Sequence, residues 1–176
     1  MPPELFRPLP LGPLLLGPLL LGTVGPGPGA PGHAERLEAT ADECAALARR
    51  FGIVSIESLR ADLVLRPEPD GAVQVTGRLV AALTQSCVVS FEPVAQQVTE
   101  PVAFRLLPAG REPADGPDEI DEIPTEGGVA DLGEAIAEQL ALALDPYPRA
   151  PDAALPAEAQ DDGRPFRSLA TLRRPK

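Results

Sequence analysis

Carboxylates are the first side chains in this sequence that could do chemistry. Asp118, Glu119, Asp121 and Glu122 stand together in Asp-Glu-Ile-Asp-Glu. Paired carboxylates act as general acid and base only when the fold holds them within reach of a common substrate. Nothing in this spacing does so, and it lacks the regular oxygen-ligand pattern of a calcium loop. His33 is the only histidine and sits beside a proline–glycine stretch, which removes most Ser/His and Cys/His nucleophilic machinery and most zinc sites. Thr84-Gln-Ser-Cys87 offers one thiol where a zinc or redox pair needs two. No phosphate-cradling loop, dinucleotide glycine fingerprint or zinc knuckle is present, and no ladder of aromatics for stacking bases. The expectation is a non-enzymatic protein with no catalytic residues, no metal and no cofactor.

What remains is recognition by charge and shape. The formal net charge is -11. Residues 111–150 carry eleven acids against two arginines, whereas residues 151–176 carry five bases against four acids. Complementary potentials steer association, so the acidic stretch fits a basic protein partner. Asp145-Pro-Tyr-Pro-Arg149 adds shape, because two prolines fix the backbone around the only tyrosine. A pre-set tyrosine beside an arginine suits an interface, and it equally suits packing back onto the body. The candidate partner-binding residues are therefore Asp118, Glu119, Asp121, Glu122, Tyr147 and Arg149. A second set, Arg164, Arg167, Arg173, Arg174 and Lys176, gives the C-terminus a small basic character for direct RNA contact. It would serve equally to fold over the acidic loop.

The elements that must position these residues are read from periodicity. Hydrophobic residues make up 44% of the 176, but 23 prolines, 16 glycines and 3% aromatics restrict the core mainly to Leu, Val, Ile and Ala. Apolar residues at three and four predict a first helix from Ala34 to Arg50, stopped by Gly52, with Cys44 facing the core. Strands follow at Ile53–Ile56, Ala61–Arg66, Val73–Ala81, Cys87–Phe91 and Val98–Leu107, with a hairpin at Asp70-Gly71. Residues 108–127 read as an acidic loop in which Ile120 and Ile123 could form a short extended stretch. A second helix begins at Asp131, with Glu134 placed to complete a capping box. These elements predict an α+β single domain. Its body is a curled antiparallel β-sheet or small barrel-like sheet with two main covering helices. It carries a flexible Pro/Gly-rich N-terminal arm and an acidic loop. The divisions are an arm at 1–33, a core at 34–150 and a linker with a basic amphipathic tail at 151–176. The Leu9–Val24 stretch is too broken by Pro10, Pro13 and Pro18 for a membrane helix or an ordinary signal segment. It reads as an arm laying one extended piece on the body. Two lone cysteines in apolar patterns point to the cytoplasm.

Several segments together resemble one family: Glu35-Arg-Leu through Leu47-Ala-Arg-Arg-Phe-Gly52, Leu83-Thr-Gln-Ser-Cys-Val-Val-Ser-Phe-Glu-Pro-Val94, Asp131-Leu-Gly-Glu134, Glu138 through Arg149, and Pro165-Phe-Arg-Ser-Leu-Ala-Thr-Leu172. They are similar to the DUF177 or YceD family, the large ribosomal RNA subunit accumulation proteins, in its alphaproteobacterial branch. The resemblance covers about residues 4–172, most specifically the helix leading into Asp-Pro-Tyr-Pro. It implies a cytoplasmic factor supporting 23S ribosomal RNA accumulation or maturation and large-subunit biogenesis. It carries no enzymatic activity with it. A basic ribosomal protein or pre-50S particle becomes the expected partner, with contact to 23S rRNA as the alternative. Many members carry a Cys-x-x-Cys pair. Cys87 matches its second position and Thr84 replaces the first, so a metal or redox role does not transfer.

Overall fold

The computed structural model describes residues 4–10, 32–114 and 120–154. Its elements in chain order are β1 (Pro8–Pro10), β2 (His33–Glu38), α1 (Ala41–Phe51), β3 (Ser55–Pro67), β4 (Val73–Ser86), β5 (Pro93–Leu107), β6 (Asp121–Pro124), β7 (Val129–Asp131) and α2 (Leu132–Ala143). The main sheet has the order β2-β3-β4-β5-β6, and β1 pairs with β7 in a small second sheet.

Strict alternation builds the sheet. Leu59, Ala61, Leu63 and Leu65 of β3, Val73, Val75, Leu79, Ala81 and Leu83 of β4, and Val98, Val102, Phe104 and Leu106 of β5 are buried on one face. A strand has a side-chain period of two, so the intervening residues line the opposite face. The helices cover the apolar face through Cys44, Leu47 and Ala48 of α1 and Leu132, Ala135, Ile136 and Leu140 of α2. Full burial of each large aliphatic contributes about 1.5–3 kcal/mol.

The α+β class is as expected, but the sheet is mixed and open. β2, β3, β4 and β5 pair antiparallel, whereas β6 runs parallel to β5. β6 adds to the free edge of β5, with Phe104 opposite Asp121 and Leu107 opposite Pro124. β2 and β6 are the two ends of the sheet order, and no barrel closes among the described residues.

The expected helix over Ala34–Arg50 divides in two. His33–Glu38 pairs with the edge of β3, from His33↔Leu65 to Glu38↔Arg60. The long edge of β3 offers unpaired backbone groups that a strand satisfies better than a solvent-facing helical turn. The helix starts only after Thr40, where the Thr40 side chain accepts from the Glu43 N–H and the Glu43 carboxylate accepts from the Thr40 N–H. Thr-x-x-Glu is a capping box, and it outranks the weaker apolar spacing before it. Gly52 ends α1 in the left-handed conformation at φ 66°.

Two further expectations change. Ile53–Ile56 and Ala61–Arg66 belong to one approach and one strand, because a register shift between Ile56 and Ser58 lets β3 run on unbroken. Cys87–Phe91 is the turn joining β4 to β5. The Cys87 N–H donates to the Glu92 carbonyl at 2.8 Å and the Phe91 N–H to the Cys87 carbonyl at 3.0 Å, closing the hairpin.

An N-terminal piece straps the helices together. Leu5 is buried against Gly133, and the Arg7 guanidinium donates to both oxygens of Glu43 at 2.7 and 3.0 Å. That hydrogen bond to Arg7, followed by those from Thr40, holds the Glu43 carboxyl down to about 2. Arg50 on α1 ties Glu134 on α2 at 2.5 Å and Glu4 at 3.3 Å. Glu134 is thus engaged across the helices rather than turned back as the expected capping partner of Asp131.

Candidate functional site

The Asp-Pro-Tyr-Pro clause is pinned to the turn between β4 and β5. Asp145 Oδ1 accepts from the Tyr147 N–H at 2.8 Å, which sets the turn after α2. The buried Gln85 Nε2 donates to the Asp145 carbonyl at 3.0 Å, and the Val88 N–H donates to the Pro148 carbonyl at 2.9 Å. The Ala150 N–H then donates to Cys87 Sγ at 3.3 Å. Gln85, Cys87 and Val88 therefore hold the six residues Asp145–Ala150 in place, while Tyr147 itself is 72% exposed. Phe91 stands 81% exposed on the same turn at φ 61°, and Val88 and Leu142 are exposed as well. A cleft of about 350 Å³ opens between the end of α1 and this clause, lined by Phe51, Ile53, Gln85, Leu144, Pro146 and Pro148. Aromatic and proline groups held this rigidly lose little entropy on contact with a partner.

Cys87 organises the turn. Its sulfur accepts the N–H groups of Val89 at 3.4 Å, Ser90 at 3.3 Å and Ala150 at 3.3 Å. The Ser90 side chain and then the amides of Ser90, Ala150 and Val89 favour the thiolate and lower this thiol to about 6, against burial. Cys44 is the opposite case, since burial pushes its thiol up in the core beneath α1. Among the described residues no three His, Cys, Asp or Glu side chains come together as a metal site.

The acidic candidates lie elsewhere. Asp121 and Glu122 are on β6, in register with Phe104 and Arg105 of β5. Asp121 is exposed. The Glu122 side chain is only 10% exposed and pairs with Arg105, which also holds Glu68 at 2.8 Å and Asp70 at 2.9 Å. Arg111 adds a second contact to Asp70 at 2.6 Å. Glu122 also accepts the Ala114 N–H at 2.8 Å, so its carboxylate fastens the loop back to the sheet. The Ala72 N–H, then Arg111, hold the Asp70 carboxyl below its usual range. Asp118 and Glu119 lie outside the described residues, as do Arg164, Arg167, Arg173, Arg174 and Lys176.

The predicted residues therefore form two groups. Tyr147 and exposed Arg149 sit by the start of β5, and Asp121 and Glu122 by its end. Pro93 to Arg105 spans about 40 Å at roughly 3.3 Å per residue along a strand. Sequence reasoning missed Phe91 and Val88 as surface groups because it read Cys87–Phe91 as strand. The signal was there in the short polar interruption around Ser90 and in the proline two residues beyond Phe91.

The fold is that of an α+β protein with a five-stranded mixed sheet and two covering helices. The family model described as large ribosomal RNA subunit accumulation protein YceD matches residues 75–168. The match covers more than half of the chain, and the chain belongs to the YceD family. It takes in β4 from Val75 onward, β5, β6, β7, α2, the Asp-Pro-Tyr-Pro clause and the residues beyond it as far as Ser168. The family description places the protein in accumulation of the large-subunit ribosomal RNA. No curated protein and no solved structure matches the chain. Among the described residues, no helix is long and apolar enough to cross a membrane.

Proposed function

We propose that this protein is a non-enzymatic, cytoplasmic factor supporting 23S rRNA maturation and large-subunit assembly, acting by binding a basic ribosomal protein or an assembly intermediate. The observation that carries this reading is the pinned clause with Tyr147 exposed at its tip, flanked by Phe91, Val88 and Leu142. Aromatic anchors on a rigid surface dominate interfaces, while charge sets encounter rate and salt dependence. Asp118, Glu119 and Asp121 supply the steering. Glu122 contributes field from within its Arg105 pair. Tyr147 and Arg149 supply the anchoring contact.

The test is titration calorimetry of the protein against a purified basic large-subunit protein at two salt concentrations. Serine at Asp118, Glu119 and Asp121 is expected to weaken binding and flatten its salt dependence. Adding Glu122→Ser is expected to lower thermal stability too, because Arg105 then loses one of its partners. Unchanged affinity in the triple variant at both salt concentrations would remove the electrostatic part of the reading. Direct RNA contact through Arg164, Arg167, Arg173, Arg174 and Lys176 is the second reading. It is favoured by the family match continuing past Arg164 and Arg167 to Ser168.

A further inference from the structure

One edge of the main sheet is left open. β5 pairs with β4 along its whole length, but β6 covers its other side only from Phe104 to Leu107. From Pro93 to Ala103 that side has no partner strand among the described residues. The Cys87 N–H donates to the Glu92 carbonyl, which makes these two a hydrogen-bonded pair of the β4–β5 ladder. Such pairs alternate along an antiparallel ladder. With Gln85 opposite Val94 and Leu79 opposite Glu100, the even-numbered residues of β5 direct their backbone groups to β4. The odd-numbered ones, Pro93, Ala95, Gln97, Thr99, Pro101 and Ala103, turn theirs to the open edge. Proline has no N–H, so Pro93 and Pro101 close the row at either end. Between them Ala95, Gln97 and Thr99 present three N–H donors and three carbonyls in one line.

The same window has a wall. A groove of about 530 Å³ lies beside it, lined by Gln96, Val98, Thr99 and Glu100 of β5 and by Ala143 and Asp145 at the end of α2. Gln85 fixes where Asp145 falls along the strand, since it donates to the Asp145 carbonyl and stands opposite Val94 in the register. Glu100 is six residues beyond Val94 and, by alternation, on the same side of the sheet. The two acidic residues are thus spaced about 20 Å along the edge at roughly 3.3 Å per residue. Both are exposed, and neither is in an ion pair among the described residues. Arg78 stands opposite Pro101 on the other face of the sheet, and Arg149 belongs to the clause; neither lines the groove.

A row of open backbone donors and acceptors is matched group for group by another extended polypeptide. A nucleic acid has no such ladder to offer. The carboxylates of the groove favour cationic side chains over anionic ones. We infer that the edge of β5 between Pro93 and Pro101 is a docking site for an extended basic segment of a protein partner. The segment adds to the sheet as a further strand, with Lys or Arg side chains six residues apart turned toward Asp145 and Glu100. This rests on the reading of the protein as a binder of a basic large-subunit component, and it gives that component a recognisable stretch: extended, poor in proline, with bases at an even spacing. Asp145 also opens the Tyr147 clause, so the groove is continuous with that surface.

The test is an amide-resolved NMR titration of the full chain with the end-blocked peptide Lys-Thr-Val-Thr-Val-Thr-Lys. The N–H signals of Ala95, Gln97 and Thr99 are expected to shift and saturate. A copy methylated on each internal backbone nitrogen, and a copy with Glu for Lys, are expected to leave them in place. Glu100→Gln with Asp145→Asn is expected to weaken the peptide about fivefold at low salt, with the difference closing as salt rises. Both positions are exposed and the Asn side chain still accepts from the Tyr147 N–H, so an unchanged thermal midpoint establishes that the fold is kept. The inference is overturned if the lysine peptide moves none of the three amides, or if the methylated or glutamate copy moves them equally. It is overturned too if oligouridylate moves them more strongly. Protection of these amides from hydrogen exchange in the free chain would also overturn it, because the edge would then be filled by the chain itself or by a second copy. Calorimetry of the full chain with the purified basic large-subunit protein separates the two failures. Salt-dependent binding there leaves the reading standing when the edge inference falls, and its absence removes both.

Discussion

At the residue scale, Cys87 shows how a side chain outside any catalytic group can shape a surface. A thiol at about 6 in the folded protein lies below the ordinary value near 8.5. The unfolded chain therefore holds more protons between those values, and stability rises with pH across that window. The contribution is complete above about 8.5 and is lost as pH falls through 6. Thermal midpoints measured from pH 6 to 8.5 are expected to climb in the native protein and to stay flat in Cys87→Ser. A flat profile in the native protein would mean the amides do not hold a thiolate. The burial of Cys44 was legible from its helical spacing, since its neighbours are local. The partners of Cys87 were not, because Ala150 reaches it from 63 positions away in the chain. The ion pair of Glu122 was hidden for the same reason. A cluster of acids reads as free charge until the fold brings Arg105 beside it.

At the element scale, the strap of residues 4–10 decides how the helices sit. The Leu132 N–H donates to the Arg7 carbonyl at 3.1 Å, and the Arg7 N–H donates to Asp131 Oδ1 at 2.9 Å. Asp131 Oδ1 also caps α2 by accepting from Gly133 and Glu134. A Cβ added at Gly133 would fall 1.7 Å from the Leu5 carbonyl oxygen, so no side chain fits while the strap is in place. Gly133→Ala is expected to displace residues 4–10 and forfeit about 1.5–3 kcal/mol of Leu5 burial. Thermal unfolding checks this. Leu5→Ala should lower the midpoint similarly, and the two changes together should add little because they break one contact. A Gly133→Ala protein with the native midpoint would show that the strap is not seated there. The central strands and α2 were legible because alternation and a cap signal coincide with their packing. The first helix was misplaced because its early apolar spacing is equally satisfied by an edge strand, and only the long β3 beside it decides between them.

At the scale of the whole molecule, the groups proposed to contact a partner occupy separate surfaces rather than one pocket. The pinned Tyr147 clause stands at one end of β5 and Asp121 at the other. Net charge pointed to a basic partner but concealed how many of the acids are paired with arginines on the sheet. The tertiary fold sorts charges that are mixed along the chain. Such an arrangement suits holding components together better than transforming a substrate, and its most direct test is co-sedimentation with isolated large-subunit precursor particles in a sucrose gradient. The native protein is expected to travel with the particles at low salt and to be released as salt rises. Tyr147→Ala combined with Asp121→Ser is expected to remain at the top of the gradient while unfolding at the native temperature, since both groups are exposed and such positions change stability by no more than about 0.5 kcal/mol. Native protein that stays at the top at every salt concentration, or a double variant that still travels with the particles, would contradict the account.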